Sequence, residues 1–336
     1  MTQGSTMRAV LVDPDSRELS LGRAPTPTPR PDEVLVRVAA AGINRADLMQ
    51  RQGLYPPPPG ITDILGMEVS GTIAEIGSEV TGWSPGDTVC ALIAGGGYAE
   101  YAVVPAAQLL PVPDGVSTVD AASLPEAAST VWSNLVTEAG LRAGETLLIH
   151  GGGSGIGTHA IQVAKALGAR VAVTVGSEYK AQRSRELGAD VVVNYRDQDF
   201  ATELADSVDV VLDIMAAKYL SANISALAPG GRLVIIGMQG GVVGELKIAT
   251  LIAKRARVIG TNVRNRPLTG PGSKADIVAA VREFEWPLVA EGKVQPVISG
   301  RLPITEAARG QQMLDSPDSV GKVLLLLDPE GNEVAR

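Results

Sequence analysis

Apolar and polar positions alternate in short runs through the first third of the chain, and Gly or Pro separates one run from the next. The pattern predicts strands at Arg8 to Val12, Glu33 to Ala40, Val69 to Ile76, Asp87 to Leu92 and Tyr98 to Val104. Short strands at regular spacing predict an all-β, barrel-like unit. Pro25, Pro27, Pro29 and Pro31 stiffen the link between the first two strands, and Pro56 to Pro59 stiffen a loop after Tyr55. A protein-recognition tract is the alternative reading of those prolines.

From about Ser117 the pattern changes to amphipathic helices alternating with apolar strands, the signature of a parallel sheet with crossover helices. Strands are predicted at Thr146 to His150, Arg170 to Val175, Val191 to Tyr195, Val208 to Ile214, Arg232 to Gly237 and Arg257 to Val263. Six of them around one glycine turn make a doubly wound dinucleotide fold. A helix from Lys274 to about Ala290, a strand near Val294 to Ser299, a helix from Glu306 to Leu314 and a buried strand from Lys322 to Leu327 complete the pattern. The expected division is a catalytic unit over residues 1–125, a nucleotide-binding unit over 126–265, and a tail, 266–336, that returns to the first unit.

The glycine turn carries the clearest chemistry. In Thr146-Leu-Leu-Ile-His-Gly-Gly-Gly-Ser-Gly-Ile-Gly-Thr158 a strand runs through small residues into a helix expected from Ile156 to Leu167. Small residues let backbone approach a pyrophosphate, and the helix start offers unpaired N–H groups to its charge. Gly152, Ser154, Gly155, Ile156 and Gly157 are therefore candidate cofactor contacts, Ser154 standing where a strict G-x-G-x-x-G has its second glycine. An NAD site commonly places an acidic residue at the end of the second strand. Here that strand ends Val175-Gly176-Ser177, which leaves room for a 2′-phosphate, and Lys180 and Arg183 follow on the next helix. NADPH is the expected cofactor. Glu178 keeps NAD open, and solvated helix charges are the other reading of Lys180 and Arg183.

Composition narrows the classes. The 336 residues are 45% hydrophobic and 20% charged, ordinary for a globular protein of two domains. A net charge of −8 and 3% aromatics speak against a nucleic-acid surface. One cysteine, Cys90, excludes a disulfide framework and fits a reducing cytosol, where it is expected as a buried core thiol. No apolar run approaches a membrane span, and Met1 to Thr6 lacks the features of a signal peptide, so a cytoplasmic protein is expected.

At Ala41-Gly-Ile-Asn-Arg-Ala-Asp-Leu-Met-Gln-Arg-Gln-Gly-Leu-Tyr55 and Leu65-Gly-Met-Glu-Val-Ser-Gly71 the chain resembles the zinc-free quinone oxidoreductases of the medium-chain dehydrogenase/reductase superfamily. Within them it is most similar to the tumour-suppressor-inducible branch related to zeta-crystallin. Further similar segments are Ala94-Gly-Gly-Gly97, Leu124-Pro-Glu-Ala127, the glycine turn, Asn194-Tyr195, Arg264-Asn-Arg266 and Gly321-Lys-Val323. The resemblance implies a GroES-like catalytic domain beside a Rossmann domain, an α/β architecture, with a cleft between them. It implies reduction of quinones by NADPH, and homodimers formed along the last Rossmann strand.

Thr130, near the nicotinamide in relatives, is carried over as a cofactor contact; Tyr195 and Gly237 are further candidates, and Asn265, with Arg264 and Arg266 just after the last Rossmann strand, either binds phosphate at the cleft or faces solvent. Where zinc alcohol dehydrogenases have a cysteine this chain has Asn44, and where they have Gly-His-Glu it has Gly66-Met67-Glu68, so no metal site is expected. Hydride transfer to a quinone then needs alignment and a donor near the developing oxyanion. Asn44 and Tyr55 are the candidate donors, and Asp47 the candidate orienting or proton-relaying group. Capping of the short helix that starts near Arg45 is the structural alternative for Asn44 and Asp47. Two other functions stay open: enoyl or enone reduction, and nucleotide binding without turnover.

Overall fold

The computed structural model describes residues 5–327. Its first unit starts with a two-stranded antiparallel ribbon of β1 (Thr6–Val12) and β2 (Leu19–Pro25). Then come β3 (Glu33–Ile43), β4 (Glu68–Ile76), β5 (Thr88–Leu92), β6 (Tyr101–Pro105) and β7 (Leu109–Pro111), all antiparallel to their neighbours. The periodicity missed two of these. In β2 the pattern is broken by Gly22 and mostly exposed positions, and β7 is only three residues long.

The nucleotide-binding unit consists of β8 (Thr146–His150), β9 (Arg170–Val175), β10 (Val191–Asn194), β11 (Val208–Asp213), β12 (Leu227–Ile235) and β13 (Arg257–Gly260). They form one parallel sheet in the order β10-β9-β8-β11-β12-β13. Read as strand positions this is 3-2-1-4-5-6, the doubly wound order whose crevice lies at the C-terminal ends of its first and fourth strands. The near-continuous apolar runs are explained by burial on both faces: Leu147, Leu148, Val210 and Val211 are all fully enclosed.

The remainder divides its contacts. β14 (Ile298–Pro303) and β15 (Lys322–Leu326) extend the first unit's sheet, giving the order β14-β15-β3-β4-β5-β7, with β6 pairing the first half of β3 on the same edge whose second half pairs β15. The strand expected at Val294 to Ser299 starts later because Gln162 holds the backbone of Gln295 from both sides. The helix expected from Lys274 is interrupted: it is α-helical over Lys274–Ala280, widens into a π-turn over Val281–Glu285, and resumes over Trp286–Ala290. Pro287 has no N–H to continue the α ladder, and a wider turn accommodates that loss. Ile277, Val278, Val281 and Trp286 join an apolar cluster that runs from Leu92 and Leu110 to Leu147 and Ile161. One core thus spans the junction of both units, and Cys90 is buried within it.

Candidate functional site

At the glycine turn, Gly151 and Gly152 hang from the carbonyl of Thr174 on β9, at 3.1 and 3.0 Å. Ser154 is the N-cap of the helix Gly155–Ala166, its Oγ accepting the Gly157 N–H at 3.0 Å and donating to the Gly151 carbonyl at 2.8 Å. By position, the N–H groups of Gly155 and Ile156 in the first helical turn lack intrahelical partners. A Cβ on Gly157 would lie 2.2 Å from the Gly151 carbonyl oxygen, so the turn closes only over glycine. These features suit a pyrophosphate, with Gly152, Ser154, Gly155, Ile156 and Gly157 on one loop.

Past β9, Ser177 caps the helix Glu178–Glu186. Lys180 lays its stem along Gly153 and donates from Nζ to the Ser316 carbonyl at 3.2 Å. Burial lowers its pKa. The Tyr195 hydroxyl lies over Gly176, where a Cβ would come within 2.1 Å of it. Gly176, Ser177, Lys180 and Tyr195 therefore gather at one strand end. Arg183 is engaged with Glu186, and Glu178 accepts from Arg185 at 2.9 Å, so neither points to a ligand. Gly237 packs on Ile214, and Asn265 is exposed with its N–H on Asn262.

The second half of the site is a buried polar cluster. Asn44 is the N-cap of Arg45–Arg51, and Asp47 accepts its backbone N–H at 2.8 Å. The Asn44 amide turns inward, donating from Nδ2 to Glu68 at 2.9 Å and accepting from Lys322 Nζ at 2.5 Å. Lys322 also pairs with Glu68, whose second oxygen accepts the Glu126 N–H at 3.0 Å. Thr130 donates to Glu126 at 3.1 Å. Burial raises the pKa of Glu126; Lys322 opposes that rise and Glu68 adds to it.

Asp47 is fully enclosed, and burial raises it to about 6 against the hydrogen bonds it accepts from Asn44, Tyr98 and Gly66. It thus touches the backbone of Asn44, but not the side chain of Tyr55. Tyr55 is half-buried and donates to Asn262 at 3.1 Å, with the Arg264 guanidinium 5.1 Å from its ring centroid. Burial raises its pKa, keeping the phenol protonated.

Sequence reasoning did not assign roles to Glu68, Glu126 and Lys322. A signal was present: each is a charged residue in a run otherwise apolar or small, and Lys322 heads the strand Lys-Val-Leu-Leu-Leu. A lysine that is 4% exposed requires a partner. Its stem passes so close to Gly155 that a Cβ there would be 2.4 Å from Lys322 Cδ. The glycine turn and the polar cluster are therefore neighbours, joined by one side chain.

Among the described residues no group of three or more His, Cys, Asp or Glu is placed to hold a metal. The donors at the two positions singled out above are an amide, Asn44, and a thioether, Met67, and the cation beside them is an ammonium. This set does not fit zinc. Neither histidine joins it: His150 bonds Thr174 and Asn223, and His159 bonds Glu285.

Residues 30–114 match the family model described as alcohol dehydrogenase GroES-like domain, and residues 155–282 match that described as zinc-binding dehydrogenase. The chain is 30% identical over 347 residues to an acryloyl-coenzyme A reductase of Sulfurisphaera tokodaii, covering 95% of this chain and 99% of that protein. It is also 30% identical over 308 residues to the quinone oxidoreductase of Rattus norvegicus, covering 90% and 91%. Among solved structures, an NAD-dependent alcohol dehydrogenase aligns with a TM-score of 0.84 at 32% identity, over 96% of this chain and 99% of that one. A mycobacterial protein complexed with NADPH aligns with a TM-score of 0.84 at 29% identity, over 96% and 100%.

Proposed function

The chain belongs to the medium-chain dehydrogenase/reductase superfamily, and from that premise we propose that it is an NADPH-dependent, zinc-independent reductase of quinones. The observation that carries this reading is Lys322, whose stem lies on Gly155 and whose ammonium lies on Asn44. One site thereby combines a pyrophosphate turn with polar groups of the β-rich domain. When bound, the dinucleotide would supply the hydride. The glycine turn, Thr130 and Gly237 would hold it, and Gly176, Ser177, Lys180 and Tyr195 would take its 2′-phosphate.

The protein's own task is then electrostatic. A quinone is already electrophilic, so a fixed donor at the developing oxyanion suffices. Tyr55 is suited to this because burial keeps its proton on Oη, and exchanging Asn262 for the acceptor's oxygen costs one neutral hydrogen bond. Asn44 is a weaker candidate, its amide being committed to Glu68 and Lys322, and it serves by holding that ammonium in place. Tyr55→Phe is expected to lower kcat about tenfold or more while leaving the Kd of NADPH unchanged. A matching loss of NADPH affinity would remove Tyr55 from the acceptor side.

Reduction of an enoyl thioester is the competing reading, favoured by the acryloyl-coenzyme A reductase standing at the same identity as the quinone oxidoreductase. NADPH consumption with 1,2-naphthoquinone and with an enoyl thioester separates them. Turnover with the thioester alone would overturn the quinone reading, and binding of NADPH without turnover of either would point to a nucleotide-binding protein.

We read the protein as a homodimer. Among the described residues edge strand β13 has no neighbour on one side, and Val258, Ile248 and Ile252 are exposed on it and on the helix Ile248–Lys254. An unpaired apolar edge of this kind is a template for a second copy. Sedimentation equilibrium tests it, and a monomer at micromolar concentration would refute it.

A further inference from the structure

Four fully buried polar side chains, Thr174, His150, Asn223 and Asp213, link the glycine turn to the loop that follows β11. The Asp213 carboxylate accepts the backbone N–H groups of Met215 and Ala216 at 2.6 and 3.1 Å, and the Asn223 amide at 3.0 Å. Burial raises Asp213 to about 6, which leaves it ionised at neutral pH and able only to accept. The Asn223 amide therefore aims its NH2 at Asp213 and its oxygen at His150 Nε2, 2.7 Å away. Burial lowers His150 to about 4, so the ring is neutral and its one proton sits on Nε2. Nδ1 is then the acceptor for the Thr174 hydroxyl at 3.0 Å.

Both ends of this chain lie on the dinucleotide crevice. At one end Thr174 carries the glycine turn: its carbonyl accepts from Gly151 and Gly152, and its hydroxyl oxygen accepts from Gly151 at 3.4 Å. At the other end Asp213 holds Ala216 in the left-handed region at φ 55°, a strained conformation for a residue other than glycine. The same bend carries Ile214. A Cβ on Gly151 would lie 2.9 Å from Ile214 Cδ1, and one on Gly237 would lie 3.0 Å from the Ile214 carbonyl oxygen. Ile214 and Met215 also accept the N–H groups of Gln239 and Gly240 at 3.0 and 2.8 Å. The rings of Phe200 and Tyr219, each 4.8 Å from that of His150, enclose the chain edge-on.

We propose that His150 is a positioning residue for the dinucleotide, its imidazole holding the glycine turn and the Ile214 loop at a fixed spacing through hydrogen bonds on both sides. This rests on the reading that the glycine turn receives a dinucleotide, and it names what keeps that site formed before the ligand arrives. Ser177 and Lys180 are not members of the chain, so NADPH and NADH should depend on His150 alike.

Calorimetric titration with NADPH and with NADH tests the proposal without turnover. His150→Leu should weaken both about tenfold, the cost of ordering on binding a site that the wild type presents already formed. Thr174→Val, which removes one hydroxyl, should weaken both about threefold in the wild type and add nothing measurable in His150→Leu. Thr174→Ser, which keeps the hydroxyl, should retain wild-type affinity. A lowered melting temperature with unchanged affinity in His150→Leu, or additive losses from Thr174→Val and His150→Leu, would overturn the proposal.

Should His150→Leu not fold, the Thr174 variants decide, and equal affinities of the Val and Ser forms would overturn it. Nitrogen NMR of the labelled wild type should show the His150 proton on Nε2; a proton on Nδ1 would break the chain at both of its bonds. A wild type that binds neither dinucleotide would sink the reading of the glycine turn itself, whereas binding that every variant retains would sink only the positioning role.

Discussion

Lys322 and Lys180 show how the surroundings of one charge decide what it does. Lys322 is enclosed with Glu68, Asn44 and the nearby Glu126, so its charge is structural as well as electrostatic. Lys322→Met should cost about 3–5 kcal/mol of unfolding free energy, because Glu68 would be left buried and unpaired. Adding Glu68→Gln should recover a large part of that loss in denaturant titrations; no recovery would mean that packing of the stem, not charge, was lost. Lys180 is different. It is only part-buried, and its ammonium rests on a carbonyl, an acceptor that an arriving phosphate can replace. Lys180→Ala is expected to weaken NADPH binding about tenfold and leave NADH unaffected. Equal effects on both cofactors would remove Lys180 from the 2′-phosphate site.

At the scale of the element, the strand β8, the glycine turn and the helix Gly155–Ala166 act as a unit. Ser154 at the second glycine position is a gain for that unit, since its hydroxyl caps the helix and ties back to Gly151. Gly157 is where the unit tolerates no side chain. Gly157→Ala forces backbone against backbone at a 2.2 Å approach, so the turn has to open. We expect a loss of about 1–3 kcal/mol in stability together with loss of measurable dinucleotide binding. Retained affinity in a calorimetric titration would show that the phosphate does not use this turn.

For the whole molecule, pH dependence follows from groups buried in both units. Burial lowers His150 from 6.5 to about 4, so the unfolded chain takes up the proton first. Its contribution is complete above about pH 6.5 and is lost as pH falls toward 4. Asp47 and Asp213 act in the opposite sense: burial raises both from 3.8 to about 6, so their contribution is greatest in acid and falls as pH rises through 6. His150→Asn leaves both aspartates in place and removes the histidine term. The stability gap between wild type and His150→Asn should narrow by about 2 kcal/mol from pH 7 to pH 5. A gap independent of pH would show that His150 does not titrate differently on folding.

The order of elements, the parallel sheet and the position of the dinucleotide turn were determined by the sequence alone, because periodicity and glycine spacing act over a few residues. Strand ends shifted where a distant side chain claimed the backbone, as Gln162 does at Gln295. Asn44, Asp47 and Tyr55 were legible as polar residues in a distinctive segment, but their partners were not. Glu68 lies 24 residues from Asn44, and Lys322 lies 278 residues away. Only tertiary structure decided that these meet and that Asp47 serves the backbone of Asn44. Charge in a sequence is local, whereas its cost and its use depend on what the fold brings within a few ångströms.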